Sequence, residues 1–228
     1  MDTNRESVPP ASAPAPWRLQ GEGFILAYWF PRERGLALGL VPDGWQDRYR
    51  GGPGAVMVVD YRCSNVGPYQ ELLVVPGRFR VGRRLRPAIT RIYVSTQASV
   101  DNGRANWAIP KEIADFHFAA AERGARRVTV TREGRPVADL TLDPSRVSVP
   151  VTMALVPRPW RTLAQPHAEG FLETTLSGMG WAGPARVRHA WFDGTSFPDV
   201  TRLRLLAAVH AEGFQLTFPV AVATAGGS

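Results

Sequence analysis

The sequence predicts a mainly β, single-domain protein whose strands form a closed or nearly closed sheet. Three observations carry that expectation. Short apolar runs of strand length recur at regular spacing along the chain. Its 20 prolines and 22 glycines fall largely between those runs, where turns belong. Few windows show the 3.6-residue apolar period of an amphipathic helix, and no repeat of fixed length or clean domain boundary interrupts the pattern.

Taken in order, residues 1–16 form a polar, Pro/Ala-rich segment without a hydrophobic signal region and are expected to be a disordered tail. Residues 17–228 are expected to form the β domain. Residues 23–30 (GFILAYWF) are continuously apolar and stop at Pro31, as a buried strand would. A short helix fits between Pro31 and Trp45, although Gly35, Gly39 and Pro42 oppose it. Valine-rich 54–62 (GAVMVVDYR) reads as an interior strand, and 69–75 as another after the Gly67-Pro68 turn. Strands at 79–84 and 88–96 follow, divided by Pro87. Small polar residues from 97 to 106 suit one or two helical turns.

Residues 115–121 and 125–133 read as a hairpin, the second arm alternating Val128 and Val130 with Arg127, Thr129 and Thr131. A turn at Glu133-Gly134-Arg135-Pro136 returns the chain as a strand over 137–142. Residues 147–156 form a further strand whose Pro150 requires an edge or a bulge. A proline-punctuated loop is expected over 158–170. Strands at 171–177 and 186–192 flank a turn at 178–184, and 202–223 supplies one or two closing strands broken near Glu212-Gly213.

Composition narrows the function. Hydrophobic content of 44% and charged content of 21% are those of an ordinary globular chain, and no apolar run approaches the length of a membrane span. The single cysteine, Cys63, excludes an intramolecular disulfide framework, fits a reducing cytoplasm, and is expected to be a buried or half-buried thiol. A net charge of +7 raises the question of nucleic acid. Phosphate binding needs clustered cations interleaved with stacking aromatics. The one such cluster, Arg78, Arg80, Arg83, Arg84 and Arg86 around Phe79, alternates like a solvated hairpin edge, so neither nucleic acid nor membrane is expected as a partner.

Among the 27 basic residues other than histidine, Lys111 is the only lysine. A bias toward arginine accounts for scarce lysine in general. At this position, however, arginine lacks one capability: guanidinium does not deprotonate, whereas a neutral amine attacks carbonyl carbon. Trp107, Ile109, Pro110, Ile113 and Phe116 place the amine in apolar company, which disfavours its charged form. A second candidate, Glu71, opens the apolar run Leu72-Leu73-Val74-Val75. It reads either as a cavity acid or base, or as a strand-end carboxylate paired with an arginine. His117, His167, His189 and His210 show no metal-ligand spacing, and Ser64 and Ser99 lie in no nucleophile elbow. Gly51-Gly52-Pro53-Gly54 lacks the lysine and hydroxyl of a phosphate loop and reads as a turn.

Two segments, Gly67-Pro68-Tyr69-Gln70-Glu71 and Gly103-Arg104-Ala105-Asn106-Trp107-Ala108-Ile109-Pro110-Lys111, together resemble the acetoacetate decarboxylase superfamily. Its members carry a Gly-Tyr-x-Glu-like strand and, further on, Gly-Arg-x5-Pro-Lys with a Schiff-base lysine. The resemblance implies a double-layered, cone-like β-barrel around a largely apolar cavity, assembled as a homo-oligomer. It implies a lyase acting without a cofactor on a small keto acid or other carbonyl compound, with Lys111 and Glu71 catalytic. Arg104, Tyr69 and Trp107 are the substrate contacts it suggests. The same imine serves aldol or dehydration chemistry on a pyruvate-like compound, and a non-catalytic apolar-ligand binder is a further alternative. The chain also departs from the family pattern. Glu112 stands where the decarboxylase has a second lysine, Ala105 where it has a glutamate, and Val56 and Gly21 fall near its other polar cavity positions.

Overall fold

A computed structural model describes residues 12–168 and 170–225. The chain enters through β1 (Trp17–Phe30), crosses α1 (Arg32–Ala37), and returns antiparallel as β2 (Tyr49–Cys63) and β3 (Tyr69–Val75). A hairpin of β4 (Arg78–Val81) and β5 (Arg84–Pro87) precedes β6 (Arg91–Val94) and α2 (Gln97–Trp107). Next come β7 (Lys111–Ile113), β8 (Asp115–Ala120), β9 (Arg126–Arg132) and β10 (Arg135–Pro144). The last third holds β11 (Val149–Thr152), α3 (Arg158–Arg161), β12 (Thr162–His167) and β13 (Gly170–Thr175). It ends with β14 (Ser177–Phe192), β15 (Arg204–Phe218) and β16 (Val222–Ala225).

The main sheet runs β7-β6-β3-β2-β1-β15-β14-β10-β9-β8, and β12, β13 and β16 form a small second sheet. Its two ends are neighbours in sequence. Only Ala114 separates β7 from β8, and its N–H donates to the Val94 carbonyl at 3.0 Å. The sheet thus nearly closes on itself as a barrel, the mainly β architecture that the spacing of apolar runs predicts. Among the described residues no helix is long and apolar enough to cross a membrane.

Two cores share the central strands. Phe24, Leu26, Val58, Leu72, Val74 and Tyr93 join Val128, Val130, Leu140 and Leu142 from the other side of the barrel and fill its interior. On the opposite face Val59, Tyr61, Tyr69, Leu73, Ile92 and Val94 pack against Trp17, Val100, Trp107 and Ile109. Strands β2, β3 and β6 are therefore buried on both faces, which is why they read as unbroken apolar runs instead of alternating ones.

Several local expectations are revised. The turn expected over 178–184 lies inside the 16-residue β14. Its glycines mark close backbone approach: a Cβ on Gly180 would stand 2.7 Å from the Phe214 Cα, and one on Gly183 2.2 Å from the Val147 carbonyl oxygen. The loop expected over 158–170 contains α3 and β12, and Pro166 is tolerated because β12 is an edge strand. Only 149–152 of the strand expected over 147–156 pairs, again at an edge, against β14.

Four further readings change. Helix α2 has 11 residues, more than two turns, with Thr96 Oγ1 accepting the Ser99 N–H at its start. Cys63, expected buried or half-buried, is exposed at the end of β2. The arginine hairpin is solvated only at Arg80, Arg83 and Arg84; Arg86 is buried against Glu173 at 3.2 Å, and Arg78 lies over the Trp160 ring. Of the expected disordered tail, 1–11 lie outside the described residues. Residues 12–16 are instead held down, the N–H groups of Ala13 and Ala15 donating to Asn102 at 2.7 Å and Asn106 at 3.2 Å.

Candidate active site

Four elements bring side chains to one place between the sheet and α2. Strand period puts Tyr69, Glu71 and Leu73 of β3 on the face toward α2, beside Tyr61 and Val59 of β2. Helix period puts Ser99, Gly103 and Trp107, four residues apart, on the side of α2 that meets them. The helix ends at Ala108 in the left-handed region (φ 53°), and the chain turns sharply into β7, the Lys111 N–H reaching the Ile109 carbonyl at 2.8 Å. Strand β7 then runs parallel to β6 with Ile92 opposite Lys111. Alternation along β7 sends Lys111 toward α2 and Glu112 to the opposite face, where Glu112 pairs with Arg132 at 2.9 Å and Arg91 at 3.6 Å. The lysine stem lies across Gly103, where a Cβ would stand 2.7 Å from Lys111 Cδ and 2.8 Å from Cε.

The Lys111 and Glu71 side chains are 5% and 6% exposed, and Nζ lies 3.3 Å from Glu71 Oε2. The amine also reaches Ser99 Oγ at 2.9 Å and Tyr69 OH at 3.4 Å, so three acceptors match the three donors of an ammonium. Tyr61 OH donates to the other Glu71 oxygen at 3.2 Å. Burial pulls the Lys111 pKa below its ordinary value of 10.5, and the Glu71 charge restores part of the loss. Burial, reinforced by the same carboxylate, pushes both Tyr61 and Tyr69 well above the usual tyrosine range, so their hydroxyls stay protonated.

These groups line a cavity of about 20 Å³, room for one water. Its walls are aromatic at Trp17, Trp107 and Phe218 and aliphatic at Leu19, Ile89, Ile92 and Ile109. Among the described residues its charged side chains are Lys111 and Glu71. A neighbouring cavity of about 300 Å³, lined in part by Thr90, Arg91, Glu112 and Gln165, shares one lining residue with it, Ile89.

Of the residues singled out in the sequence, Lys111, Glu71, Tyr69 and Trp107 converge here. Arg104 does not: it is exposed on the outer side of α2, because the next helical residue after Gly103 is turned away from the lysine. No arginine of the 78–86 hairpin lines the cavity, and none of the four histidines does. Val56 faces the barrel interior, so that position contributes nothing polar to the site. Sequence reasoning missed Ser99, Tyr61 and Trp17. The last two lie on apolar strand faces like any core aromatic. For Ser99 the available signal was its four-residue spacing from Gly103.

Comparisons with known proteins bear on the family and the fold. Residues 3–176 match the family model described as acetoacetate decarboxylase (ADC). No curated protein matches the chain. Among solved structures, an acetoacetate decarboxylase-like enzyme from Sphingomonas wittichii RW1 superposes with a TM-score of 0.69 at 16% identity, covering 97% of this chain and 98% of that one. Acetoacetate decarboxylase from Legionella pneumophila gives 0.67 at 17% identity over 97% and 94%. The enduracididine biosynthesis enzyme MppR, complexed with pyruvate, gives 0.63 at 15% identity over 95% and 92%. At these identities the neighbours bear on the fold, and the family model bears on descent. The chain belongs to the acetoacetate decarboxylase family.

Proposed function

We propose that this protein is a Schiff-base-forming carbon–carbon lyase in which Lys111 is the nucleophile and Glu71 carries its proton. One observation supports the reading above the rest: a buried lysine amine 3.3 Å from a buried carboxylate, inside an otherwise apolar cavity. The pair holds one shared proton. With the proton on Glu71, neutral Nζ attacks the carbonyl carbon and the oxygen takes the proton up. Loss of that oxygen as water leaves a protonated imine beside a Glu71 carboxylate, so the pair remains neutral overall. The imine then draws electrons from a bond one carbon away. Carbon dioxide leaves from a β-keto acid, an aldehyde from a β-hydroxy carbonyl compound, or a proton or water in the dehydration variant. Glu71, a carboxylate at this stage, takes the hydroxyl proton released in retro-aldol cleavage, or draws a proton from water after decarboxylation, and delivers it to the enamine carbon.

Ser99 and Tyr69 hold Nζ toward the cavity, and the raised tyrosine pKa values keep both hydroxyls as donors while charge changes around them. MppR, a structural neighbour solved with pyruvate, lends support to carbonyl chemistry on this fold. The binding-only alternative is less well supported. A cavity lined by a buried ion pair is a poor receptacle for an apolar ligand.

The solitary lysine makes the test direct. The folded protein is incubated with a small carbonyl compound and cyanoborohydride, and the added mass is mapped by peptide mass spectrometry. The adduct is expected on the Lys111 peptide and absent from Lys111→Arg. An adduct confined to the N-terminal amine, or equal in the variant, would sink the proposal.

A further inference from the structure

We infer that the substrate of Lys111 is an elongated carbonyl compound ending in a carboxylate, and that the neighbouring cavity of about 300 Å³ receives that far end; this rests on the imine reading above. The amine's own cavity has room for about one water, so a carbonyl group that reaches Nζ must bring the rest of its molecule past a wall. The segment leading to the lysine borders both spaces. Ile109 and Lys111 line the small cavity, Ala108 and Pro110 the large one, and Ile89 is common to the two. The buried Gln165 amide fixes the Ile89 backbone, its oxygen accepting the Ile89 N–H at 2.8 Å and its nitrogen donating to the Ile89 carbonyl at 3.1 Å. The Ile89 side chain is left as the partition, with open space on its far side.

The large cavity presents donors that the fold leaves unused. Leu40, Trp45 and Pro166 give it apolar walls, and Thr90 and Arg91 lie together at the N-terminal end of β6. The Thr90 hydroxyl oxygen is buried and has no hydrogen-bond partner among the described residues. The half-buried Arg91 guanidinium makes no hydrogen bond among them, and its ion pair with Glu112 is long, at 3.6 Å. Arg132 holds Glu112 more closely, at 2.9 Å, while the other carboxylate near Arg132, Glu133, is exposed and 3.9 Å away. Two guanidinium groups thus share Glu112, and a second carboxylate completes the set. Arg91 meets it with a planar fork of N–H groups and Thr90 with a hydroxyl. A doubly charged phosphate fits less well, because Glu112 lines the same cavity and repels it. The stem joining carbonyl to carboxylate meets Ile89 and the Trp45 and Pro166 walls, so it is a hydrocarbon chain.

The test uses the full chain and cyanoborohydride trapping. The probes are methyl ketones that end in a carboxylate, with spacers from butylene to octylene, each beside its methyl ester. Rates of Lys111 adduct formation are divided by rates with Nα-acetyllysine, and the acid-to-ester ratio is taken at each length. That ratio is expected to rise with length to about tenfold, the scale of one charge-assisted contact. Arg91→Gln should bring it back toward unity and Thr90→Val should lower it, whereas Arg91→Lys, which keeps the charge, should retain part of it. A merely structural role for Arg91 would slow acid and ester alike and leave the ratio in place. A ratio near unity at every length, or one unmoved in Arg91→Gln, would overturn the inference and leave the imine reading intact. Adduct with none of the probes, in protein shown to be folded, would overturn both.

Discussion

Lys111 has two glutamates for company, and the direction each one faces decides its influence. Glu71 is buried and 3.3 Å from Nζ, whereas its sequence neighbour Glu112 is turned to the opposite face, toward Arg132 and Arg91. Burial depresses the lysine pKa and Glu71 partly restores it. Trapping requires the neutral amine, so its rate is expected to rise with pH and to level off below the 10.5 of an ordinary lysine. Glu71→Gln removes the group that holds the pKa up, and the profile should move to still lower pH. Glu112→Gln should leave it in place. An unmoved profile in Glu71→Gln, or a moved one in Glu112→Gln, would reverse this assignment. The depressed pKa also has a consequence for stability. Between the folded value and 10.5 the unfolded state binds more protons, so stability rises with pH across that window and the cost of burying the ammonium is fully present below it. At this scale the lysine is legible because it is unique, and a carboxylate next to it in sequence, Glu112, is a hazard to a neutral amine. Only the strand register reveals that the hazard faces away.

Among the elements, α2 and β7 together make the site, and their junction sets its precision. Gly103 lets the lysine stem lie against the helix. In Gly103→Ala the new methyl would meet Lys111 Cδ at 2.7 Å, and since the lysine end is flexible it is the lysine that moves. Alanine is the better helix former by about 1 kcal/mol, but displacing Nζ leaves the buried Glu71 carboxylate without its partner, so thermal stability should fall. The rate of imine trapping should fall at least tenfold. A normal rate with normal stability would mean that the stem has another route to the cavity. The Gly103-Arg104 pair was visible in the sequence, but the glycine does the positioning while the arginine points to solvent. The same ambiguity holds over 178–184, where glycines that admit a crossing backbone read in the sequence as a turn. Glycine marks either event, and local sequence does not distinguish a chain that bends from one that is closely approached. Ser99 escaped notice for a different reason: nothing in a separation of 12 residues announces that a three-turn helix folds back onto the strand that follows it.

The whole molecule is a sheet whose ends the chain itself joins, and Lys111 lies three residues before the joint at Ala114. Regular apolar runs made a closed β architecture legible, and their lack of alternation signalled strands buried on both faces. Which edges meet was not legible, because closure depends on β7 and β8 lying at opposite ends of the strand order while adjacent in sequence. Ala114 carries that junction. Its N–H donates to the Val94 carbonyl, and Val94 belongs to the core around the lysine whereas Ala114 packs with the barrel interior. Ala114→Pro removes the donor and orphans a buried carbonyl, a loss of about 1–3 kcal/mol. The variant should unfold at a lower guanidinium chloride concentration than the parent. Because β2, β3 and β6 serve both cores, far-UV circular dichroism and Lys111 trapping should be lost together in both proteins. Trapping that disappears while the dichroism persists would show that the lysine core opens independently, and that the closed sheet does not hold the site together.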